Sequence, residues 1–280
     1  MAGKNKEDEG TMGKRLAVVT GAATGIGKAI SQRLLLDGYE VAGMDLNDAA
    51  LKATEQELAA NGRFFGIEAD VTDESQVTVG IAAIYQEAGH IDALVNNAGG
   101  SMGVSQAIEL ISIEEWDRVI NVNLRSTFIC AKAVIPYMKK NKWGRIVNIS
   151  SLAGRSRSYF GGVPYASAKA GIIGFTRQGS KELGPFGITM NAVAPGVVIS
   201  GERISNYWYN KKTEEERQGF LNLVPVGRTG NNEDVSEVVS FLCSEKNSYI
   251  PGAVIDVNGG FGAGKVFGGG KGEKGYPGEK

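Results

Sequence analysis

The feature that most constrains the fold of this chain is a regular alternation of short β-branched runs with longer segments of helical period. The predicted strands are 16–20, 39–44, 64–69, 91–96, 145–150, 189–194 and 254–257. The predicted helices lie near 26–37, 48–61, 73–88, 113–140, 164–183 and 233–244. Alternating strands and helices form βαβ units, whose parallel sheet is covered on both faces. The pattern therefore predicts an α/β fold with one doubly wound parallel sheet.

Local signals place some of the helix ends. Ser112 followed by Glu115 predicts a capping box at the start of the fourth helix. Gly62 and Gly184 stand where glycines at helix C-termini are expected.

Three regions follow from the same pattern. Residues 15–261 form the predicted domain, and residues 200–225 interrupt its rhythm with aromatic and charged residues. We interpret 200–225 as a lid that covers a substrate. Residues 1–14 are predicted to be a flexible extension. Residues 262–280 form a glycine- and lysine-rich tail, whose three triplet-spaced glycines are too few for a collagen helix.

Charge and rare residues exclude several classes of function. The 280 residues include 30 basic and 31 acidic ones, which gives no reason to expect nucleic acid or an anionic membrane as partner. His90 is the only histidine, so serine–histidine hydrolases and multi-histidine metal sites are excluded and no metal is predicted. Cys130 and Cys243 are expected to be buried free thiols. A polar N-terminus and the lack of a long uncharged stretch predict a cytoplasmic location.

A glycine-rich loop directly follows the first predicted strand and leads into a helix. It contains Gly21, Thr24, Gly25, Ile26 and Gly27. Glycines allow the backbone to approach a pyrophosphate, and the helix N-terminus supplies free N–H donors and positive potential. The strand–loop–helix context therefore predicts a dinucleotide site.

Asp45, at the end of the second strand, favours NAD over NADP. A carboxylate there accepts hydrogen bonds from the ribose hydroxyls and repels a 2′-phosphate. Thr24 and Leu46 stand where a basic residue would welcome that phosphate. The alternative is that Asp45 only caps the helix that follows it.

Tyr165 and Lys169 lie four residues apart at the start of a predicted helix, so they share one face. A neighbouring positive charge lowers the pKa of a phenol from its usual value near 10. Tyr165 would then be usable as a general acid or base near neutral pH. By itself this spacing also fits an ordinary surface pair.

Together these motifs resemble the short-chain dehydrogenase/reductase family over nearly all of residues 15–261. The further motifs that carry the resemblance are Asp70-Val71, Asn96-Asn97-Ala98-Gly99, Asn123, Ser151 and Pro195-Gly196. The resemblance implies a Rossmann-type fold and four catalytic residues: Asn123, Ser151, Tyr165 and Lys169. It implies that Tyr165 exchanges a proton with the substrate oxygen and that Lys169 binds the nicotinamide ribose. It further implies that Ser151 bonds the substrate oxygen and that Asn123 holds a relay water.

The resemblance also implies further cofactor contacts. Asp70 and Val71 would contact the adenine, and Asn97, Ala98 and Gly99 the ribose side. Pro195, Gly196, the backbone of Val198 and the hydroxyl of Ser200 would lie at the nicotinamide. Ser200 stands where threonine is usual, which keeps the hydroxyl. Ser150 precedes Ser151 and is interpreted as bonding the backbone.

The expected activity is the reversible oxidation of a secondary alcohol to a ketone by NAD. Residues Arg155, Arg157, Tyr159, Phe160, Arg203, Tyr207, Trp208 and Tyr209 are expected near the nicotinamide and suggest a cyclic or anionic substrate. One alternative is reduction of a 3-oxoacyl thioester, and another is a catalytically idle NAD-binding scaffold. The family resemblance implies a homotetramer built on helices 113–140 and 164–183. The apolar residues of those helices would also fit the core.

Overall fold

The structure is a computed structural model that describes residues 14–156, 158 and 161–261, without the side chain of Arg203. Seven parallel strands form one sheet in the order β3-β2-β1-β4-β5-β6-β7. They are β1 (Leu16–Thr20), β2 (Glu40–Asp45), β3 (Phe64–Glu68), β4 (Ala93–Asn96), β5 (Gly144–Ile149), β6 (Ile188–Pro195) and β7 (Val254–Val257). This confirms the doubly wound parallel sheet that the sequence predicts.

The described helices cover both faces of this sheet. They are α1 (Gly25–Leu36), α2 (Asp48–Leu58), α3 (Glu74–Ala88), α4 (Ile113–Ile120), α5 (Ser126–Asn141), α6 (Val163–Leu183), α7 (Glu202–Asn206), α8 (Glu214–Leu221) and α9 (Asn232–Cys243). The capping box of Ser112 and Glu115 is present at the start of α4. No helix of the described residues is long and apolar enough to cross a membrane.

The core forms two layers because alternate strand residues point to opposite faces. Ala17 and Val19 of β1 pack in one layer with Ile30 of α1, whereas Leu16 and Val18 pack in the other. All five residues of β1 are buried, as expected of a central strand covered on both sides. Cys130 and Cys243 are buried free thiols.

The strand order reverses next to β1, which pairs with β2 on one side and β4 on the other. Ligands of open α/β sheets bind outside the carboxyl ends of the strands at such a switch point. The chain therefore brings the loops after β1, β2, β4 and β5 to one edge.

Of the two glycines predicted at helix C-termini, Gly62 is wrong and Gly184 is confirmed. Helix α2 ends at Leu58 with Ala59 as its C-cap, so Gly62 lies beyond the helix, at φ +148°. Gly184 is the C-cap of α6 but has right-handed φ, because the chain continues into a short 3₁₀ turn. The left-handed residue that ends that turn is Gly187, at φ +70°.

The predicted helix 113–140 is also interrupted. A π-helical turn, Asn121–Arg125, separates α4 from α5. Such turns often mark functional positions, and this one contains Asn123. The lid has a similar turn, Tyr207–Lys211, between α7 and α8.

The predicted extension, apart from Lys14, and the tail 262–280 lie outside the described residues. The lid packs around an apolar cluster of its own, formed by Trp208, Phe220 and Val224. Trp208 is only 3% exposed, so its ring lies inside this cluster.

Candidate active site

The glycine loop forms a tight turn that only glycine permits at several positions. Gly21 and Gly25 have φ of +63° and +56°. A Cβ on Gly27 would overlap the carbonyl oxygen of Gly21, and one on Gly25 would lie 2.6 Å from the carbonyl oxygen of Ser200. The loop therefore lies against the start of the lid, with no room for side chains at these glycines.

Helix α1 begins directly from this loop without a side-chain cap. Its N-cap, Thr24, makes no capping hydrogen bond, and the first turn, which includes Ile26, holds no acidic residue. By contrast, α2 and α3 are capped by Asn47 and Asp73. The free first-turn N–H groups and the positive end of the helix dipole make this terminus suited to an anion.

Thr20 and Asn97 hold the glycine loop to the end of β4. The hydroxyl oxygen of Thr20 accepts from the N–H groups of Asn97 and Ala98, both at 3.0 Å. The side-chain amide of Asn97 donates to the carbonyls of Thr20 and Gly21 at 3.0 and 3.1 Å. The side chain of Asn97 therefore shapes the loop, which the sequence did not indicate.

Asp45 ends β2 at the same edge, half-buried, with the exposed Leu46 beside it. Its carboxylate accepts from the N–H of Ala23 at 3.1 Å and from that of Asn47 at 3.1 Å. The cap of α2 is Asn47, whose side chain accepts from the N–H of Ala50. Asp45 is therefore not the helix cap, which removes the alternative considered for it.

Asp70 and Val71 follow β3 at the outer end of this edge. The Asp70 carboxylate accepts from the N–H and the hydroxyl of Thr72, both at 2.8 Å. The side chain of Val71 is buried in the core. Any contact that Val71 makes with a ligand at this edge is therefore chiefly through its backbone.

Asn123 is fully buried in the π-helical turn and faces the loop after β4. Its amide nitrogen donates to the carbonyls of Gly100 and Val119 at 2.9 and 2.8 Å, and its oxygen accepts from the N–H of Gly100 at 3.0 Å. A Cβ on Gly99 would overlap this oxygen and lie 3.5 Å from Nζ of Lys169. The structure thus brings Asn123, Gly99 and Lys169 together.

Lys169 is a buried cation on α6. Its Nζ donates to the carbonyl of Ile149 at 2.8 Å and lies 5.6 Å from the ring centroid of the half-buried Tyr165. Burial lowers the pKa of Lys169 to about 8, because the charged form loses hydration. The predicted alternative of a surface pair is therefore wrong for Lys169.

The two serines after β5 have different surroundings. The hydroxyl of Ser150 is buried and donates to the carbonyl of Lys169 at 2.8 Å, the kind of backbone bond expected for it. The hydroxyl of Ser151 accepts from the N–H of Ala153 at 3.1 Å and remains able to donate its proton. Of the two, Ser151 has the hydroxyl placed for an outside partner.

The segment after β6 closes the site. Gly196 donates to the carbonyl of Val257 at 2.9 Å and follows Pro195, the last residue of β6. Val198 forms a parallel bridge with Gly230 that uses the carbonyl of Val197 and the N–H of Ile199. The N–H and C=O of Val198 itself therefore point to the opposite side.

A buried polar chain below the site was not predicted. The amide of Asn96 donates to Asn148 at 2.8 Å, and the amide of Asn148 donates to the hydroxyl of Thr176 at 2.9 Å. This chain links β4 and β5 to α6. The sequence signal for it was an asparagine within each of two buried strands.

The lid cations are mostly engaged within the protein. Arg217 pairs with Glu214 and donates to the carbonyls of Trp208, Tyr209 and Lys212. Lys212 pairs with Glu216 at 3.1 Å.

Of the other residues expected near the substrate, Arg155 pairs with Asp256 at 3.0 Å. Tyr207 and Tyr209 are exposed. Arg157, Tyr159 and Phe160 lie outside the described residues, and the side chain of Arg203 is not described. The structure thus gives Arg155, Lys212 and Arg217 roles as ion-pair partners.

The arrangement suits proton transfer beside a nucleotide. The hydroxyl of Ser151 follows β5, and the phenol of Tyr165 and the buried ammonium of Lys169 lie in the first turns of α6. The uncapped N-terminus of α1 follows β1 at the same edge of the sheet. These groups can bind an oxygen that gains or loses a proton, and the free N–H groups at the start of α1 suit a pyrophosphate.

Comparison with known proteins identifies the family of this chain. A family model described as short chain dehydrogenase matches residues 15–206. The (2S)-[(R)-hydroxy(phenyl)methyl]succinyl-CoA dehydrogenase subunit BbsD of Thauera aromatica is 38% identical over 250 residues, covering 88% of this chain and 96% of that protein. The 3-oxoacyl-[acyl-carrier-protein] reductase FabG of Aquifex aeolicus is 38% identical over 248 residues, with the same two coverages.

Solved structures are similar to this chain as well. A 3-oxoacyl-[acyl-carrier protein] reductase from Brucella melitensis, solved with bound NAD, has a TM-score of 0.78 at 35% identity. The match covers 89% of this chain and 92% of that one. The chain therefore belongs to the short-chain dehydrogenase/reductase family, whose members are oxidoreductases.

Proposed function

We propose that this chain interconverts a secondary alcohol and a ketone by hydride transfer with NAD(H). The observation that carries the proposal is the buried Lys169, held to the carbonyl of Ile149 with Nζ 5.6 Å from the ring of Tyr165. A surface lysine at helical spacing would not be enclosed in this way. The ammonium is instead shielded from water beside the phenol, where a low dielectric strengthens its attraction for a phenolate.

The residues present fit NAD. The glycine loop has no space for side chains, and α1 presents uncapped N–H groups for the pyrophosphate. The carboxylate of Asp45 can accept hydrogen bonds from free ribose hydroxyls. Its exposed neighbour Leu46 has no positive charge to bind a 2′-phosphate. When bound, the nicotinamide supplies the hydride acceptor or donor.

The protein's own groups then move the proton and hold the substrate oxygen. Tyr165 takes the alcohol proton in oxidation and returns it in reduction, and Lys169 favours the phenolate by its charge. Ser151 donates a hydrogen bond to the substrate oxygen. Asn123 is buried, and Gly99 lies between it and Lys169. Asn123 would hold a water that carries the proton from Lys169 to solvent.

The remaining cofactor contacts follow from position at the same edge. Asp70 and the backbone of Val71 lie at the adenine end, and Ala98 and Gly99 follow β4 towards Lys169. Near the nicotinamide, Pro195 and Gly196 set the turn after β6. There the outward backbone of Val198 and the hydroxyl of Ser200 are the groups placed to bind the carboxamide.

Reduction of a 3-oxoacyl thioester is the second candidate. The Aquifex aeolicus and Brucella melitensis relatives carry that activity in their names, and the Thauera aromatica relative is named for a CoA thioester. The same Tyr165, Lys169 and Ser151 would serve both reactions. An idle scaffold is the third reading, and the intact catalytic set counts against it.

Paired substrates decide among these candidates. NADH formation is measured with neutral and carboxylated secondary alcohols, and NADH consumption with a 3-oxoacyl thioester of matched chain length. A preference for the free alcohols supports the proposal, and a preference for the thioester supports the second candidate. NADH binding without turnover of either supports the scaffold.

We also propose a homotetramer, built on α4–α5 and α6. Phe128 on α5 is 51% exposed and makes an edge-to-face contact with Phe175 on α6, with ring centroids 6.4 Å apart. Ile113 and Val163 are exposed on α4 and α6 as well. Contiguous apolar patches on a surface mark interfaces, and we propose that these side chains belong to one. Cytoplasmic location stays a prediction from the sequence.

A further inference from the structure

A threonine stands on the buried face of α2, where the helical period favours an apolar residue. Leu51, Thr54 and Leu58 share that face, and Thr54 is only 2% exposed. A buried hydroxyl needs a hydrogen-bond partner. The partner of Thr54 therefore indicates what a polar side chain does at this position.

The hydroxyl of Thr54 bonds the glycine loop and not its own helix. A threonine inside a helix commonly donates to the carbonyl four residues before it, which here is that of Ala50. Thr54 donates instead to the carbonyl of Ala23, 31 residues away, at 2.8 Å. Ala23 immediately precedes Thr24, the N-cap of α1. The side chain of α2 is thus bonded to the segment from which α1 begins.

The backbone of Ala23 is held from two sides. Its N–H donates to the carboxylate of Asp45 at 3.1 Å, and its carbonyl accepts from Thr54. The first bond within α1 runs from the N–H of Lys28 to the carbonyl of Thr24. The carbonyl of Ala23 therefore lies outside the hydrogen-bond ladder of α1, and the side chain of Thr54 supplies its donor.

This contact determines where the N–H of Thr24 points. Every peptide bond within the described residues is trans. The carbonyl of Ala23 and the N–H of Thr24 therefore point in opposite directions across one peptide plane. Since the carbonyl points to α2, the N–H points away from α2, beside the uncapped N–H groups that begin α1.

Helix α2 is joined to α1 at a second point. Lys28 on α1 forms an ion pair with Glu57, about one turn after Thr54 on α2. Both side chains are partly exposed, and such pairs contribute little in water. The hydroxyl of Thr54 is shielded from water and is the tighter constraint on the loop.

We propose that Thr54 is a positioning residue of the nucleotide site. By holding the carbonyl of Ala23, it keeps the N–H groups at the start of α1 in the orientation that binds the ribose and pyrophosphate of NAD. The inference rests on the cofactor site of the proposed function and not on the proton transfer. Thr54 acts through the loop, so its loss should reduce cofactor affinity and leave the chemical step unchanged.

Thr54→Val tests the proposal, because a methyl group replaces the hydroxyl with little change of shape. The dissociation constant of NADH, measured by fluorescence titration, should rise by about five- to tenfold, which corresponds to one hydrogen bond. The kcat at saturating NAD should be that of the wild type, as expected for a loss of binding alone. Thr54→Ser keeps the hydroxyl and should restore the affinity. Thr54→Ala also lacks the hydroxyl and should show the same loss if Thr54→Val does not fold.

Thr189→Val is the matched control at the opposite edge of the sheet. Thr189 lies at the start of β6 and is buried, and its hydroxyl accepts from the amide of Asn247 at 3.3 Å. This change also removes one buried hydrogen bond, so it should lower stability and leave the NADH affinity unchanged. Equal losses of NADH affinity in Thr54→Val and Thr189→Val would overturn the proposal, and so would wild-type affinity in Thr54→Val.

ADP binding separates this inference from the proposed function. ADP carries the ribose and pyrophosphate of NAD without the nicotinamide, so calorimetry should show the same weakening for ADP as for NADH in Thr54→Val. A wild type that binds NADH and ADP but oxidises no alcohol would contradict the proposed function and leave the role of Thr54 supported by the ADP result. Alcohol oxidation by the wild type with equal ADP affinity in Thr54→Val would contradict the role of Thr54 alone.

Discussion

At the scale of single residues, one buried ammonium lowers stability and, in the proposed mechanism, acts on the phenol beside it. Lys169 is 4% exposed, and within the part of the chain that the structure describes its Nζ donates one hydrogen bond, to the carbonyl of Ile149. Removing its charge from water lowers its pKa from 10.5 to about 8. Burying this cation lowers the free energy of unfolding at neutral pH, and it places a positive charge beside Tyr165.

Lys169→Met should therefore stabilise the fold at pH 7. The unfolded chain holds its lysine proton up to pH 10.5, whereas the folded one releases it near pH 8. Wild-type stability should rise with pH between these values, and the penalty at pH 7 is about 3 kcal/mol at roughly 1.4 kcal/mol per pKa unit. Urea unfolding at pH 7 and pH 10 measures it.

The control for this prediction is Lys181→Met, an exposed lysine on the same helix. Its stability should follow the wild type at both pH values. A Lys169→Met variant that is less stable than the wild type at pH 7 would show that the ammonium is stabilised by contacts stronger than its loss of hydration.

Asp45 and Leu46 are expected to decide the choice of cofactor. The double change Asp45→Ser, Leu46→Arg removes a carboxylate that repels a 2′-phosphate and adds a cation that binds one. The ratio of the NADH dissociation constant to the NADPH dissociation constant should rise by at least about tenfold, because NADH binds more weakly and NADPH more tightly. Fluorescence titration measures both constants. No shift would mean that the ribose is recognised elsewhere.

At the scale of elements, the glycine loop and α1 form one unit with the loop after β4. Gly27 packs against the carbonyl of Gly21 and lies beside the amide of Asn97, which itself bonds that carbonyl. The geometry of the phosphate site is thus fixed by contacts between backbone segments, with no room for a methyl group.

Gly27→Ala should weaken NADH binding by at least about tenfold, because the added Cβ forces apart the loop and α1. Fluorescence titration of NADH measures it. Gly174→Ala on α6 is the matched control, since its Cβ would meet nothing within 4 Å. That change should leave NADH binding unaltered and raise stability by up to about 1 kcal/mol. Equal NADH affinity in both variants would contradict the tight packing of the loop.

The sequence predicts the strands well, because they are buried on both faces of the sheet. The seven predicted strands are all present and differ from the observed ends by two residues at most, because parallel strands buried on both faces read as apolar runs. The sequence does not predict the π-helical turn around Asn123, because a single widened turn between two helical segments contains no glycine or proline to mark it. Lid contacts such as Trp208 on Phe220 depend on tertiary packing and could not be read from local pattern.

At the scale of the whole molecule, topology explains why distant motifs meet. The order β3-β2-β1-β4-β5-β6-β7 places the carboxyl ends of β1, β4 and β5 side by side. Gly21, Gly99 and Ser151 follow these three strands and are far apart in sequence. The sequence could predict this meeting only by way of the family resemblance, since periodicity does not specify strand order.

Assembly is the remaining prediction at this scale. Phe128→Glu places a charge in the proposed interface, where its desolvation opposes association. Gel filtration should show the wild type at about four times the mass of one chain and the variant at a smaller size. Phe241→Glu, at a 39% exposed phenylalanine on α9, is the control and should leave the assembly intact. A wild-type monomer would rule out the tetramer.

The central claim is that Tyr165 transfers the proton beside bound NAD, and the most direct test is NADH formation by wild type and Tyr165→Phe with 2-octanol and related secondary alcohols. The phenylalanine keeps the ring and removes only the hydroxyl, so NADH affinity should be retained while kcat falls by about 10²–10⁴-fold. Oxidation that proceeds equally well in Tyr165→Phe would contradict the role given to Tyr165 and, with it, the proposed mechanism.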